Sequence, residues 1–387
     1  MCKDGFTHTF HKDTGMTARE IITLTSLVFC LLVGEIFGFQ EPLDATAFYN
    51  RGKAYYQKGD YENAIADFNL AIKIKPDYAN AYLNRGNAYN AQGDYNRALA
   101  DYTQALKLQP DDITAYNNRG NTYLLKNDIS RAIADFDQAI SRQPNLAEAY
   151  GNRGVAFMYR GDYDRAVADF NQALKINPRD AEAYNRRGRV HTFQNRYDAA
   201  LADFNRALQL QPEFAEAFSN SGIACVKKGD FDLAITNFTR ALKLKPELAE
   251  AYANRGLAYA KQENFKRAIL DYDRAIQLKR EKTLAVKKRN NDLMPTIKLR
   301  PEDAELYYNR GRAYHALGKF DLAVADYTQA INIKPGYVFA YYIRATAYRD
   351  KGDRGKAIFD FMKVLEMTNE PIMRNRAQEH LRELGVN

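Results

Sequence analysis

From residue 45 onward, apolar side chains recur three and four positions apart, and short polar stretches such as Gln57-Lys58-Gly59-Asp60 break the pattern at intervals. The spacing predicts amphipathic helices. Each short break predicts a tight turn joining two of them. The helix pairs then repeat. Gly52, Gly86, Gly120, Gly154, Gly188, Gly222 and Gly256 follow one another at a constant step of 34 residues; Gly311 resumes the series after one interruption, and Ala345 stands in the ninth position. A fixed period of this length predicts stacked units that bury a continuous core against their neighbours, not a globular catalytic core.

Numbering each repeat from seven residues before its glycine, so that the first begins at Ala45, sorts the chain into columns. Slot 4 is always aromatic, slot 20 is alanine from Ala64 to Ala357, and slot 24 is Phe or Tyr from Phe68 to Phe361. Pro76, Pro110, Pro144, Pro178, Pro212, Pro246 and Pro335 each close a second helix, because proline cannot continue one. The small residues mark close helix approach and the aromatic columns fill the space around it.

These columns, with Tyr at slot 11 and Ala at slot 27, resemble the tetratricopeptide repeat family over roughly residues 45–371, in nine repeats. The resemblance implies an all-α, right-handed superhelical solenoid of helix-turn-helix pairs, seven in 45–282 and two in 304–371. Residues 372–387 are expected to form a polar capping helix. The departures are Arg at slot 7 where the family usually has Leu, Phe157, His191 and Cys225 at slot 11, and Ala345 and Asn369 in the last repeat.

The slot-7 arginine finds its explanation in slot 23. Arg51, Arg85, Arg119, Arg153 and Arg187 are matched by Asp67, Asp101, Asp135, Asp169 and Asp203, and the later repeats follow suit; repeat six alone has Ser221, and it alone has Asn237. Losing both together predicts an ion pair between the two helices of one repeat, so that Arg153→Ala should cost more than removal of Arg153 and Asp169 together.

The resemblance also implies that first helices line a concave groove, with slots 2, 5, 6, 9, 12 and 13 facing a ligand. Slot 6 carries Asn84, Asn118, Asn152, Asn220 and Asn254, broken by Arg186, and is similar to the amide ladder of O-linked N-acetylglucosamine transferases. A carboxamide both donates and accepts, so such a row suits either the backbone of an extended peptide or bonds between neighbouring repeats. Leu124, Val155, Met158, Tyr159, Phe193 and Ile223 add an apolar strip suited to an amphipathic or extended protein segment. The lysine and arginine clamp by which chaperone-binding members of the family grip a terminal carboxylate is missing from the first three repeats.

Composition changes this picture little. The net charge of +8 is concentrated between Lys279 and Arg300, with eight Lys or Arg against two acids, which argues against a nucleic-acid stripe. That basic segment, residues 283–303 between repeats seven and eight, reads as either a solvated loop or a docking arm, its first part prolonging the preceding helix. No nucleophile elbow, phosphate loop or metal-ligand spacing is present, so the expectation is a non-catalytic scaffold without a cofactor that binds a protein or peptide. Within residues 1–40, Ile21 to Gly34 is an uncharged apolar run that extends to residue 39 if Glu35 is tolerated; it predicts an export signal or a membrane anchor. The alternatives are an envelope assembly factor that binds through its edges or convex face, and a cytosolic co-chaperone-like adaptor.

Overall fold

A computed structural model describes residues 44–289 and 301–386. Among them are nineteen α-helices and one short 3-10 turn. The chain divides into two compact bodies, with the boundary along the sequence between Pro144 and Asn145. The first contains α1 (Ala45–Gln57), α2 (Tyr61–Ile74), α3 (Ala79–Ala91), α4 (Tyr95–Leu108), α5 (Ile113–Leu125) and α6 (Ile129–Arg142). The second opens with α7 (Ala147–Arg160), α8 (Tyr163–Ile176), α9 (Ala181–Phe193), α10 (Tyr197–Leu210), α11 (Ala215–Lys228) and α12 (Phe231–Leu244). It continues with α13 (Ala249–Lys261), α14 (Phe265–Arg289), α15 (Ala304–Ala316), α16 (Phe320–Ile333), α17 (Val338–Lys351), α18 (Arg354–Met367) and α19 (Pro371–Glu383). Odd-numbered helices up to α17 open a repeat and even-numbered ones close it.

Each turn inside a repeat needs one residue at positive φ, which falls at slot 15. Six repeats place glycine there, as at Gly59 (φ +78°) and Gly229 (φ +92°), while Asn127, Asn195 and Glu263 hold the same conformation at φ 60°. Glycine has no Cβ to clash in this region, asparagine tolerates it, and glutamate is the costly choice. The next residue usually caps the second helix: Asp60, Asp94, Asp128, Asp162, Asp230 and Asp353 each accept a hydrogen bond from the backbone N–H three residues on.

The core explains the glycine column. In repeats two to six, a Cβ placed on Gly86, Gly120, Gly154, Gly188 or Gly222 would lie 2.7–3.0 Å from the ring of the slot-24 aromatic, Tyr102, Phe136, Phe170, Phe204 or Phe238. Those rings are fully buried, and the slot-20 and slot-27 alanines lie buried beside them. Burying one such ring contributes roughly 1.5–3 kcal/mol, and only glycine lets it seat against the facing helix. Where Ala345 replaces the glycine, the Phe361 ring stays buried and stacks on His380 of the last helix at 5.0 Å. That helix closes the array. Met373, Ala377 and Leu381, four apart on one face of α19, join the core of Phe361 and Val364.

Helix α14 runs eleven residues beyond the fourteen typical of a second helix, to Arg289. Its Lys279 donates to Asp303 at 2.7 Å, at the turn Pro301–Asp303 that leads into α15. At least this cation of the basic stretch from Lys279 to Arg300 therefore has a structural role. The apolar run at 21–39 and residues 290–300 lie outside the described residues.

Candidate binding groove

The arginine column forms a ladder. In Arg85, Arg119 and Arg187, Nε and Nη2 each donate to one carboxylate oxygen of Asp101, Asp135 and Asp203, at 2.6–2.8 Å. Arg153 grips Asp169 in the same way, as Arg51 does Asp67. The aspartates are buried and most of the arginines half-buried; Arg51, with no described repeat before it, is the exposed member. The hydrogen bonds to Asp135 raise the affinity of the Arg119 guanidinium for its proton, against the burial that opposes it.

Five arginines of the column also have a third arm that the columns alone did not reveal. Nη1 reaches back to slot 25 of the preceding repeat: Arg85 to Asn69 (2.5 Å), Arg119 to Thr103 (3.2 Å), Arg187 to Asn171 (2.6 Å), Arg255 to Thr239 (3.0 Å) and Arg310 to Asp273 (2.6 Å). One side chain thus ties two helices of its own repeat and stitches that repeat to its neighbour. The readable signal is a slot 25 that stays small and polar in these repeats.

The amide row is used in part in the same way. Asn84 Nδ2 donates to Tyr49 Oη at 3.1 Å, Asn118 Nδ2 to Asn87 Oδ1 at 2.9 Å, and Asn220 Nδ2 to Asn185 Oδ1 at 2.9 Å. Each bond crosses to the preceding repeat, so the row first knits repeats together. Asn152 and Asn254 are half-buried on the same side of their helices. Arg186 turns back along its own helix, its Nε 2.8 Å from Glu182.

The apolar strip divides. Met158 is buried together with its neighbours Ala156 and Phe157, because the end of α7 buries a wider arc than a single stripe; it offers no contact surface. Leu124, Val155 and Ile223 are half-buried, whereas Tyr159 and Phe193 are exposed. The Phe193 ring stacks on Tyr163 at 5.6 Å and 17°, which fixes one of its faces.

The residues converge best in repeats five to seven, where α9, α11 and α13 enclose a cleft of about 630 Å³. Phe193, Phe214 and Ile223 supply apolar lining, and Asn185 and Asn220 lie among them. Glu182, Glu216 and Glu250, all slot-2 residues, are the acidic groups of the lining; Arg189 and Lys227, further along their helices, are the basic ones. Lys245 holds Glu216 at 2.5 Å and keeps its carboxyl below the usual range. Among the described residues, Arg189, Lys227 and Glu250 make no ion pair. The acidic column was visible in the sequence, as Glu148, Glu182, Glu216, Glu250 and Glu305 occupy one slot.

Comparison with known proteins agrees with the repeat architecture. Family models described as TPR repeat or tetratricopeptide repeat match residues 52–93, 86–127, 113–146, 152–217, 222–263, 249–282, 304–337 and 340–371. The chain belongs to the tetratricopeptide repeat family. No curated protein matches it. Among solved structures, a tetratricopeptide repeat protein from Parabacteroides merdae is similar with a TM-score of 0.53 and 22% identity, covering 60% of this chain and 93% of its own. A chain of the APC/C hetero-tetramer Cut9-Hcn1 has a TM-score of 0.54 and 14% identity, covering 93% and 81%. At these identities both speak for the fold alone. YrrB, described as a TPR protein with an unusual peptide-binding site, is 26% identical with a TM-score of 0.40, over 48% of this chain and 95% of its own.

Proposed function

We propose that this chain is a protein-interaction scaffold that holds an extended segment of a partner protein in the groove of repeats five to seven. The observation that carries the reading is the 630 Å³ cleft, whose lining combines apolar side chains with one acid, Glu250, and two bases, Arg189 and Lys227, that make no ion pair among the described residues. Extended peptides gain affinity from such apolar contacts, and charge at the edges fixes direction and partner choice. A segment with an apolar centre, an acid facing Arg189 and Lys227, and a base facing Glu250 matches the lining. Any chemistry in the complex belongs to the partner on this reading.

Affinity capture from native extract tests it, comparing the wild-type chain with Arg189→Glu/Lys227→Glu, both checked for unchanged helix content. One protein enriched by the wild type and lost with the variant supports the groove; an identical set from both refutes it. The apolar run at 21–39 is assigned, on its sequence, the role of export leader or membrane anchor. Among the described residues no helix is long and apolar enough to cross a membrane. A mature N-terminus at or after Gly34, or retention of the run in a membrane fraction, would support that role; a full-length soluble chain would refute it.

A further inference from the structure

Repeat six breaks the arginine ladder, and a pocket lies at the break. In the repeats on either side, Arg187 and Arg255 fill the space between their own Asp203 or Asp271 and the preceding repeat's Asn171 or Thr239. Ser221 is too short to do so. Its hydroxyl instead accepts from Asn237 Nδ2 at 3.1 Å, leaving Asn205, the residue a slot-7 arginine would reach, without that bond. A cavity of about 650 Å³ results, bounded by α10, α11 and α12. It shares α10 and α11 with the groove but no lining residue.

The lining specifies an occupant. Leu201, Leu208 and Phe218 give apolar walls, and Asn205, Ser221 and buried Asn237 give polar groups without formal charge. The aspartate that elsewhere neutralises a guanidinium is gone, so a cation entering here would find no counter-charge. The one formal charge on the lining is positive: the exposed Arg240 guanidinium, 5.7 Å from the Phe218 ring centre and without a carboxylate partner among the described residues. A flexible aliphatic stem ending in a carboxylate fits these features. Its methylenes would cover Phe218 and the leucines, and its oxygens would accept from Arg240 and the Asn205 amide.

We propose that this pocket is a second protein-binding site, which takes a glutamate or aspartate side chain of a partner where the other repeats insert their own arginine. The site is independent of the groove: either can fail without the other.

The probe is a phage-displayed library of random peptides, selected on the full chain after depletion on Ser221→Arg/Asn237→Asp. That double substitution restores the arrangement found in the other eight repeats and fills the pocket with the chain's own side chain. Surviving clones should share an acidic residue, bind Phe193→Ala as they bind wild type, and lose affinity about tenfold or more in Arg240→Gln, as loss of a charge-assisted hydrogen bond implies. Arg240 is exposed, so this variant keeps the fold whether or not the double variant does. Clones without an acidic residue, clones indifferent to Arg240→Gln, or no clones surviving depletion would each overturn the proposal.

Discussion

Replacing Arg119 tests the arginine ladder at a rung with all three arms in place. Its Nε and Nη2 bind Asp135 at 2.8 and 2.7 Å, its Nη1 binds Thr103 of the preceding repeat at 3.2 Å, and only 6% of the Asp135 side chain is exposed. Arg119→Ser leaves that carboxylate buried without its cation, and breaking a buried pair from one side costs about 3–5 kcal/mol. Because 18% of the Arg119 side chain still reaches solvent, the lower end of that range applies, about 3 kcal/mol. Arg119→Ser/Asp135→Asn instead reproduces repeat six, which is folded in the same chain with Ser221 bonded to Asn237. The double variant should therefore lose less than Arg119→Ser alone, with a coupling energy of about 2 kcal/mol between the sites. Urea unfolding of wild type, both single variants and the double variant, fitted with nearest-neighbour coupling between repeats, measures it. Additive losses would refute the pairing argument.

Other expectations follow from single positions. Glu263 sits at φ 60° where most repeats have glycine, so Glu263→Gly should stabilise the chain by about 1 kcal/mol, read as a rise in the denaturation midpoint; a fall would contradict the strain. Burial pushes the His191 imidazole below its ordinary pKa, partly offset by Asp203 at 3.8 Å. The unfolded chain therefore takes up the proton first, below about pH 6.5, and stability declines from there until the folded-state pKa is reached. His191→Tyr, the residue most repeats carry in that column, should abolish this decline; parallel pH curves for wild type and variant would refute it. Arg196 opens α10 without a side-chain cap, and Arg196→Asp should add about 1 kcal/mol to the unfolding free energy.

Much of this architecture was legible because the chain aligns with itself. The helix pairs, the turn and the aromatic column each recur nine times, so chance matches cancel and the required residue type remains. The pairing of slots 7 and 23 could be read from repeat six alone, since Ser221 and Asn237 change together. The third arm was hidden because Asn69, Thr103 and Asp273 differ in chemistry while serving the same Nη1. The amide row was only half legible: its spacing marks a shared face, but only the packing of the helices brings Asn118 and Asn220 to bond with neighbouring repeats. Met158 was misplaced on the contact strip because slot position sets direction, while burial depends on how the end of α7 packs. The pocket in repeat six is an absence within a column, and its volume emerges only from how the three helices around Ser221 pack.

On the proposed function, the cleft of repeats five to seven is the surface that meets the partner. Replacing Phe193 with a benzophenone-bearing residue and irradiating in native extract tests it directly, because the ring is exposed at the cleft wall. The same residue at position 175, exposed on the second helix of repeat four, serves as the comparison. One discrete adduct is expected from position 193, mapping to a single contiguous segment of one protein, and none from 175. Adducts from position 175 with none from 193 would contradict it and move binding to the second-helix face.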